Sequence, residues 1–126
     1  MNDPSGVLGA LLAAFQQKIG NDLHVSFPCK VISYDDSKRL ASVQPLVRVT
    51  DDEPALIERV PVMGQRLKLL SGGSPQDYVP VYLPGDIVLV SVCDNEIKNV
   101  LSGSVATPDS TRQHDRNDCV IMGVIF

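Results

Sequence analysis

The sequence predicts a mainly β protein: a small five-stranded Greek-key barrel preceded by one amphipathic α-helix. Three observations carry this expectation. After Gly20, five runs of strand length rich in β-branched residues alternate with turn residues. Before it, from Val7 to Ile19, apolar residues instead recur every three or four positions. At 126 residues there is room for one domain with a core of its own.

The helix comes first. Asp3-Pro4 reads as a start, with Asp3 able to cap free amides and Pro4 suited to the first turn. Val7, Leu8, Leu11, Leu12, Phe15 and Ile19 fall on one face, and Gly20 reads as the stop. The expected division is therefore a helical arm over residues 1–21 and a barrel over 22–126. Such a face needs cover, either from its own barrel or from a neighbouring subunit.

The strands follow in hairpin order. Residues 25–34 form the first run, with Pro28 marking an edge or a bulge. Asp35-Asp36-Ser37-Lys38 is a turn, and residues 39–49 return as the second strand. Asp51-Asp52-Glu53-Pro54 turns again into a third run over 56–63. Residues 64–80 are irregular, with Ser71-Gly72-Gly73-Ser74-Pro75 reading as a flexible loop. Pro84-Gly85-Asp86 turns tightly into Ile87–Val92, the most apolar run. Asn95 to Leu101 suits a short helix or turn, and residues 118–126 close as the last strand. Five short strands fit an OB-type barrel better than a seven-strand sandwich, though pattern alone leaves SH3-like barrels and small sandwiches open.

Composition narrows the function classes. A formal charge of −4, with basic residues scattered, argues against a phosphate-tracking surface. The best surface for single-stranded nucleic acid would be Tyr78 and Tyr82 beside Arg66 and Lys68. Cys29, Cys93 and Cys119 form no CxxC pair, and read as reduced, buried thiols. The apolar stretch Val7–Phe15 is too short to span a bilayer and lacks the flanks of a signal peptide.

Arg112-Gln113-His114-Asp115 is the segment with the most catalytic-looking residue types. A His beside an Asp suits a general base, and a hydrolase acting through His114 and Asp115 is the weaker alternative reading. No nucleophile elbow or metal-ligand spacing accompanies it. The simpler reading has Arg112, His114, Asp115 and Asp118 pinning the loop before the last strand through charge-assisted bonds. The acidic clusters Asp35-Asp36 and Asp51-Asp52-Glu53 lack calcium-loop spacing, and Gly72-Gly73 lacks the Gly-Lys-Ser/Thr of a phosphate loop. No enzyme activity and no cofactor are expected.

Two stretches carry a resemblance, together covering most of residues 27–122. The first is Phe27–Asp35 with Ala41-Ser42-Val43-Gln44-Pro45-Leu46. The second is Leu83-Pro84-Gly85-Asp86-Ile87-Val88-Leu89-Val90, followed by Asn95–Leu101 and Arg112–Asp118. In that order and register the chain resembles the N-terminal OB domain of membrane-piercing spike proteins from contractile-tailed phages. The resemblance implies a homotrimer on the tail axis, within the baseplate of the virion, made in the bacterial cytoplasm. Its partners would be itself and neighbouring hub, tube or tip proteins, with no nucleic acid and no stable membrane association. In such spikes a β-helix needle follows the barrel, and some needles end in histidines that bind iron. This sequence ends at Phe126 and has only His24 and His114. The expectation is therefore an OB collar for a separately encoded tip, or one domain of a longer product. Candidate subunit contacts are Val7, Leu11 and Phe15 on the helix, and Leu69, Leu70 and Tyr78 in the 64–80 segment. The alternative is an OB-fold single-stranded nucleic-acid binder.

Overall fold

The computed structural model describes residues 4–126, so the capping role expected of Asp3 lies outside the described residues. The element order is α1 (Pro4–Asp22), β1 (Ser26–Asp35), β2 (Leu40–Pro45), β3 (Ile57–Pro61), β4 (Gln65–Leu67), β5 (Gln76–Tyr78), β6 (Ile87–Val92) and β7 (Cys119–Val124).

Five of the strands form one curled sheet in the order β3-β2-β1-β6-β7, every neighbouring pair antiparallel. A parallel bridge between Val62, just past β3, and Ile121 of β7 joins the two edges. The circuit β1-β2-β3-β7-β6 is thus an OB-type barrel with both edges of the sheet engaged. Register shifts at Val31/Ser33, Ala41/Val43 and Leu89/Val90 supply the bends that curl so small a sheet.

The core follows from period-two alternation. Cys29 and Val31 of β1, Ala41 and Val43 of β2, Val88, Val90 and Val92 of β6, and Cys119 and Ile121 of β7 all point inward. Ile57, Val60 and Tyr82 complete it, with Tyr82 set edge-on to Tyr34 at 5.4 Å between ring centroids. Small β-branched and thiol side chains fill the interior, which is why a chain with 5% aromatic residues closes a barrel.

Two turns fix the register. Asp35 accepts from Ser37 N at 3.0 Å, Ser37 Oγ at 2.6 Å and Lys38 N at 3.2 Å, holding the β1–β2 hairpin. Leu83-Pro84-Gly85-Asp86 is a turn with proline second and glycine third, where Gly85 has φ +96°. Gly85 N then donates to Val31 O at 2.8 Å, and Val31 N to Asp86 O at 2.8 Å, carrying the turn directly into the β1–β6 ladder.

Three expectations need correction. Pro28 is on the central strand β1, neither on an edge nor at a bulge. Its ring is tolerated because β2 ends at Pro45, and only the Pro28 carbonyl is used on that side, accepting from Leu46 N at 3.1 Å. Gly20 does not stop the helix: Leu23 N donates to Ile19 O at 2.9 Å and α1 runs to Asp22. Glycine permits a left-handed stop but does not impose one. The 64–80 segment is not an irregular loop, because β4 and β5 pair there as a separate hairpin. Of the two forms expected for Asn95 to Leu101, a short helix or a turn, the chain takes the turn.

Candidate functional site

Between β6 and β7 the chain makes a long excursion, residues 93–118, held as one polar unit at the barrel rim. Its two ends are tied by Cys93 N donating to Asp118 O at 2.8 Å. Asp118 is buried and receives both Nε and Nη2 of Arg112, each at 2.8 Å. This two-pronged bond favours the charged guanidinium and holds Arg112 above its ordinary value, with Asp118 the main cause. Arg112 Nη2 also lies 3.5 Å from Glu96, which is buried at 7% exposure. Glu96 accepts from Ser110 Oγ at 2.9 Å and from Asp109 N at 3.3 Å, so a second stretch of the loop hangs on it. Asn99 and Lys98 then hold Asp109, at 2.9 Å and 3.1 Å, and keep its carboxyl below the ordinary range.

His114 sits at φ +46°, a conformation a non-glycine residue adopts rarely. Its ring Nδ1 faces the His24 carbonyl at 3.2 Å, and its backbone carbonyl accepts from His24 N at 3.2 Å. It thereby joins the loop to the segment leading into β1. Nε2 lies 3.3 Å from Asp94, not from Asp115. The sequence neighbour Asp115 is engaged elsewhere: its Oδ1 accepts from Asn117 N at 2.9 Å and from Asn117 Nδ2 at 2.9 Å. The His114–Asp115 pair of a general-base reading is therefore not assembled. The nearby Ser110 hydroxyl donates to a carboxylate. Among the described residues no group of three or more metal-ligating side chains converges.

The structure brings Arg112 and Asp118 together and places His114 and Asp115 on separate partners. Sequence reasoning missed Glu96, Asp94 and His24. Glu96 lies 14 residues before Ser110 in a stretch without periodicity, so nothing local marks it as buried.

Many large apolar residues face outward. Val7, Leu11 and Phe15 are all exposed on α1, which packs against none of the strands. Leu69, Leu70 and Tyr78 are exposed on the β4–β5 hairpin, Leu70 completely. A groove of about 480 Å³ lies between the end of α1, the start of β1 and the β2–β3 loop, lined by Leu23, Val25, Phe27, Val47, Val49 and Pro54 among others. The chain exposes 9461 Å² in all. A compact monomer of 13.6 kDa exposes about 6,600 Å².

The aromatic surface considered for nucleic acid does not form as expected. Tyr82 is in the core, and Arg66 is bound to Asp77 at 2.6 Å across the β4–β5 hairpin. Tyr78 alone of the two rings is at the surface.

A curled five-stranded sheet whose edges meet at one bridge, with a charge-pinned loop at its rim, defines a protein of the OB-like β class. The phage protein Gp138 N-terminal domain family matches residues 27–123, and the chain belongs to that family. It is a phage structural protein. The match takes in β1 through β7 and leaves α1 outside. No curated protein matches the chain.

Proposed function

We propose that this chain is a baseplate component of the phage tail, an OB collar at the central spike or hub that joins the tail tube to the tip. The observation that carries the reading is the family match across the whole barrel. The apolar exterior supports it, since a part held among neighbours needs surface for them on several sides. The role is mechanical. A barrel whose edges meet resists shear better than an open sheet, and the charge-pinned 93–118 loop stiffens its rim. Three copies around the tail axis form a closed ring through one repeated heterologous interface. No catalytic step and no cofactor enter the proposal. Its partners are copies of itself and adjoining hub, tube or tip proteins.

Immunogold labelling of intact virions with antibody against the barrel tests the placement. The expected result is label confined to the distal end of the tail. Label on the capsid or along the tail shaft overturns it. Quantitative mass spectrometry of purified virions checks the copy number, for which three per particle is expected.

A further inference from the structure

The helix α1 is the element that the barrel, its family and its core leave unexplained. It lies outside the matched family domain and packs against none of the seven strands. Yet Leu8, Leu12, Phe15 and Ile19 follow one another at spacings of four, three and four residues. That is the spacing of a coiled-coil seam over two heptads, in which each large residue would enter a hole made by a facing helix. Val7 and Leu11 widen the seam on one side. All six side chains are between 56% and 64% exposed, so the stripe is uncovered in the single chain.

The helix is also poorly suited to stand in water. Across its 19 residues it carries only Lys18 and Asp22 as charges, too few for the ion pairs that support a solvated helix. A single helix of this length is marginal without packing. We infer that α1 is a self-association helix, its Leu8-Leu12-Phe15-Ile19 seam packing in parallel against the same seam of two further copies.

Two features of the chain favour further copies of itself as the occupant. A heptad seam is complementary to itself in register, so an identical helix presents the matching knobs and holes at every layer. The chain's surface excess, nearly 3,000 Å² over a compact monomer of its mass, exceeds what a stable interface consumes per partner. The width of the stripe favours three helices over two, because Val7 and Leu11 would stay wet in a simple pair. The number three also rests on the baseplate reading above, whereas the seam does not.

The test uses the full chain and measures its solution mass by light scattering after size exclusion. Wild type is expected at the mass of three chains. Leu12→Asp combined with Phe15→Asp is expected to reduce it to one chain, with the sheet spectrum and barrel melting retained because neither residue touches the barrel. Ala13→Gln, on the opposite face, is expected to leave three chains. For orientation, Ile19→Cys is expected to give a disulfide-linked pair on oxidation, and Gln17→Cys is not. A three-chain mass that survives the double substitution overturns the seam and leaves the baseplate reading standing, with the barrel as the trimer contact. A two-chain mass abolished by the same substitutions overturns the three-helix form. A wild-type mass of one chain, as when α1 folds back on its own groove, overturns self-association itself and the trimer with it. Failure of Ile19→Cys to cross-link within an intact trimer overturns the parallel arrangement.

Discussion

Cys29 and Cys119 show how this core is built from residues that do chemistry elsewhere. Both thiols point inward, and burial pushes Cys29 up to about 12 and Cys119 up to about 11. Their unfolded thiols ionise near pH 9, so between pH 9 and about 11 to 12 the unfolded chain releases protons that the folded chain keeps. Stability is therefore full below pH 9 and falls as the pH rises through that window. Urea midpoints at pH 8 and pH 10 should show the drop, and Cys29→Ala with Cys119→Ala should flatten its first part. Tyr34 and Tyr82, also raised by burial, act with the same sign from pH 10 upward and should persist in the variant. In native protein a thiol reagent should modify Cys93 slowly, since it is half-buried and its thiol is raised too, and should reach all three cysteines only on unfolding. Arg112 is the residue whose loss matters most to the rim. Arg112→Leu leaves buried Asp118 and Glu96 without their cation, and should cost about 2–3 kcal/mol in a urea titration. His114→Ala removes the ring's contacts to the His24 carbonyl and to the well-exposed Asp94, leaves the backbone bond from His24 N in place, and should cost about 1 kcal/mol.

At the scale of elements, the β4–β5 hairpin supplies a sharper test than any strand of the barrel. It is joined to β3 through Gly64, where a Cβ would lie 2.8 Å from the Tyr78 carbonyl oxygen. A backbone oxygen cannot swing aside as a side-chain tip does, so Gly64→Ala should cost about 1–3 kcal/mol and loosen the hairpin. Hydrogen exchange should show faster exchange at Gln65–Tyr78 while the β1–β6 amides stay protected. This hairpin was also the element least legible in the sequence. Gln65-Arg66-Leu67 and Gln76-Asp77-Tyr78 are three residues each, exposed throughout, and have no buried face to impose alternation. β1, β2, β6 and β7 were legible because every second residue in them is driven into the core. Arg112 was legible as a charged pin, but the segment offers it Asp115 and Asp118 alike, and only the folded loop selects Asp118. Glu96 and the His24–His114 tie were not, since the latter spans 90 residues and only the closed barrel brings them together. Helix α1 was readable as a helix but not as an isolated one. Periodicity reveals a face that wants cover and says nothing of where the cover lies.

On the scale of the whole molecule, the barrel depends on a closure that no local pattern announces. β3 and β7 are far apart in sequence and meet through the parallel bridge of Val62 with Ile121. Ile121 is fully buried, pairs with Val90 on its other side, and so belongs both to the core and to the seam that shuts the barrel. Its neighbour Met122 points outward and is half exposed. Ile121→Ala should therefore cost about 2–5 kcal/mol, from lost burial and from a void that β3 and β7 can close only by parting. Met122→Ala, one residue along the same strand, should cost well under 1 kcal/mol for a chain free of partners. Urea unfolding of both variants checks the pair, and comparable losses at the two positions would mean that β7 does not present alternate faces to core and solvent. If closure rather than burial alone sets the cost, Ile121→Ala should also accelerate amide exchange in β3, which shares no sequence with the substituted strand. Exchange limited to β7 would instead mean that the void is absorbed locally and the barrel stays shut.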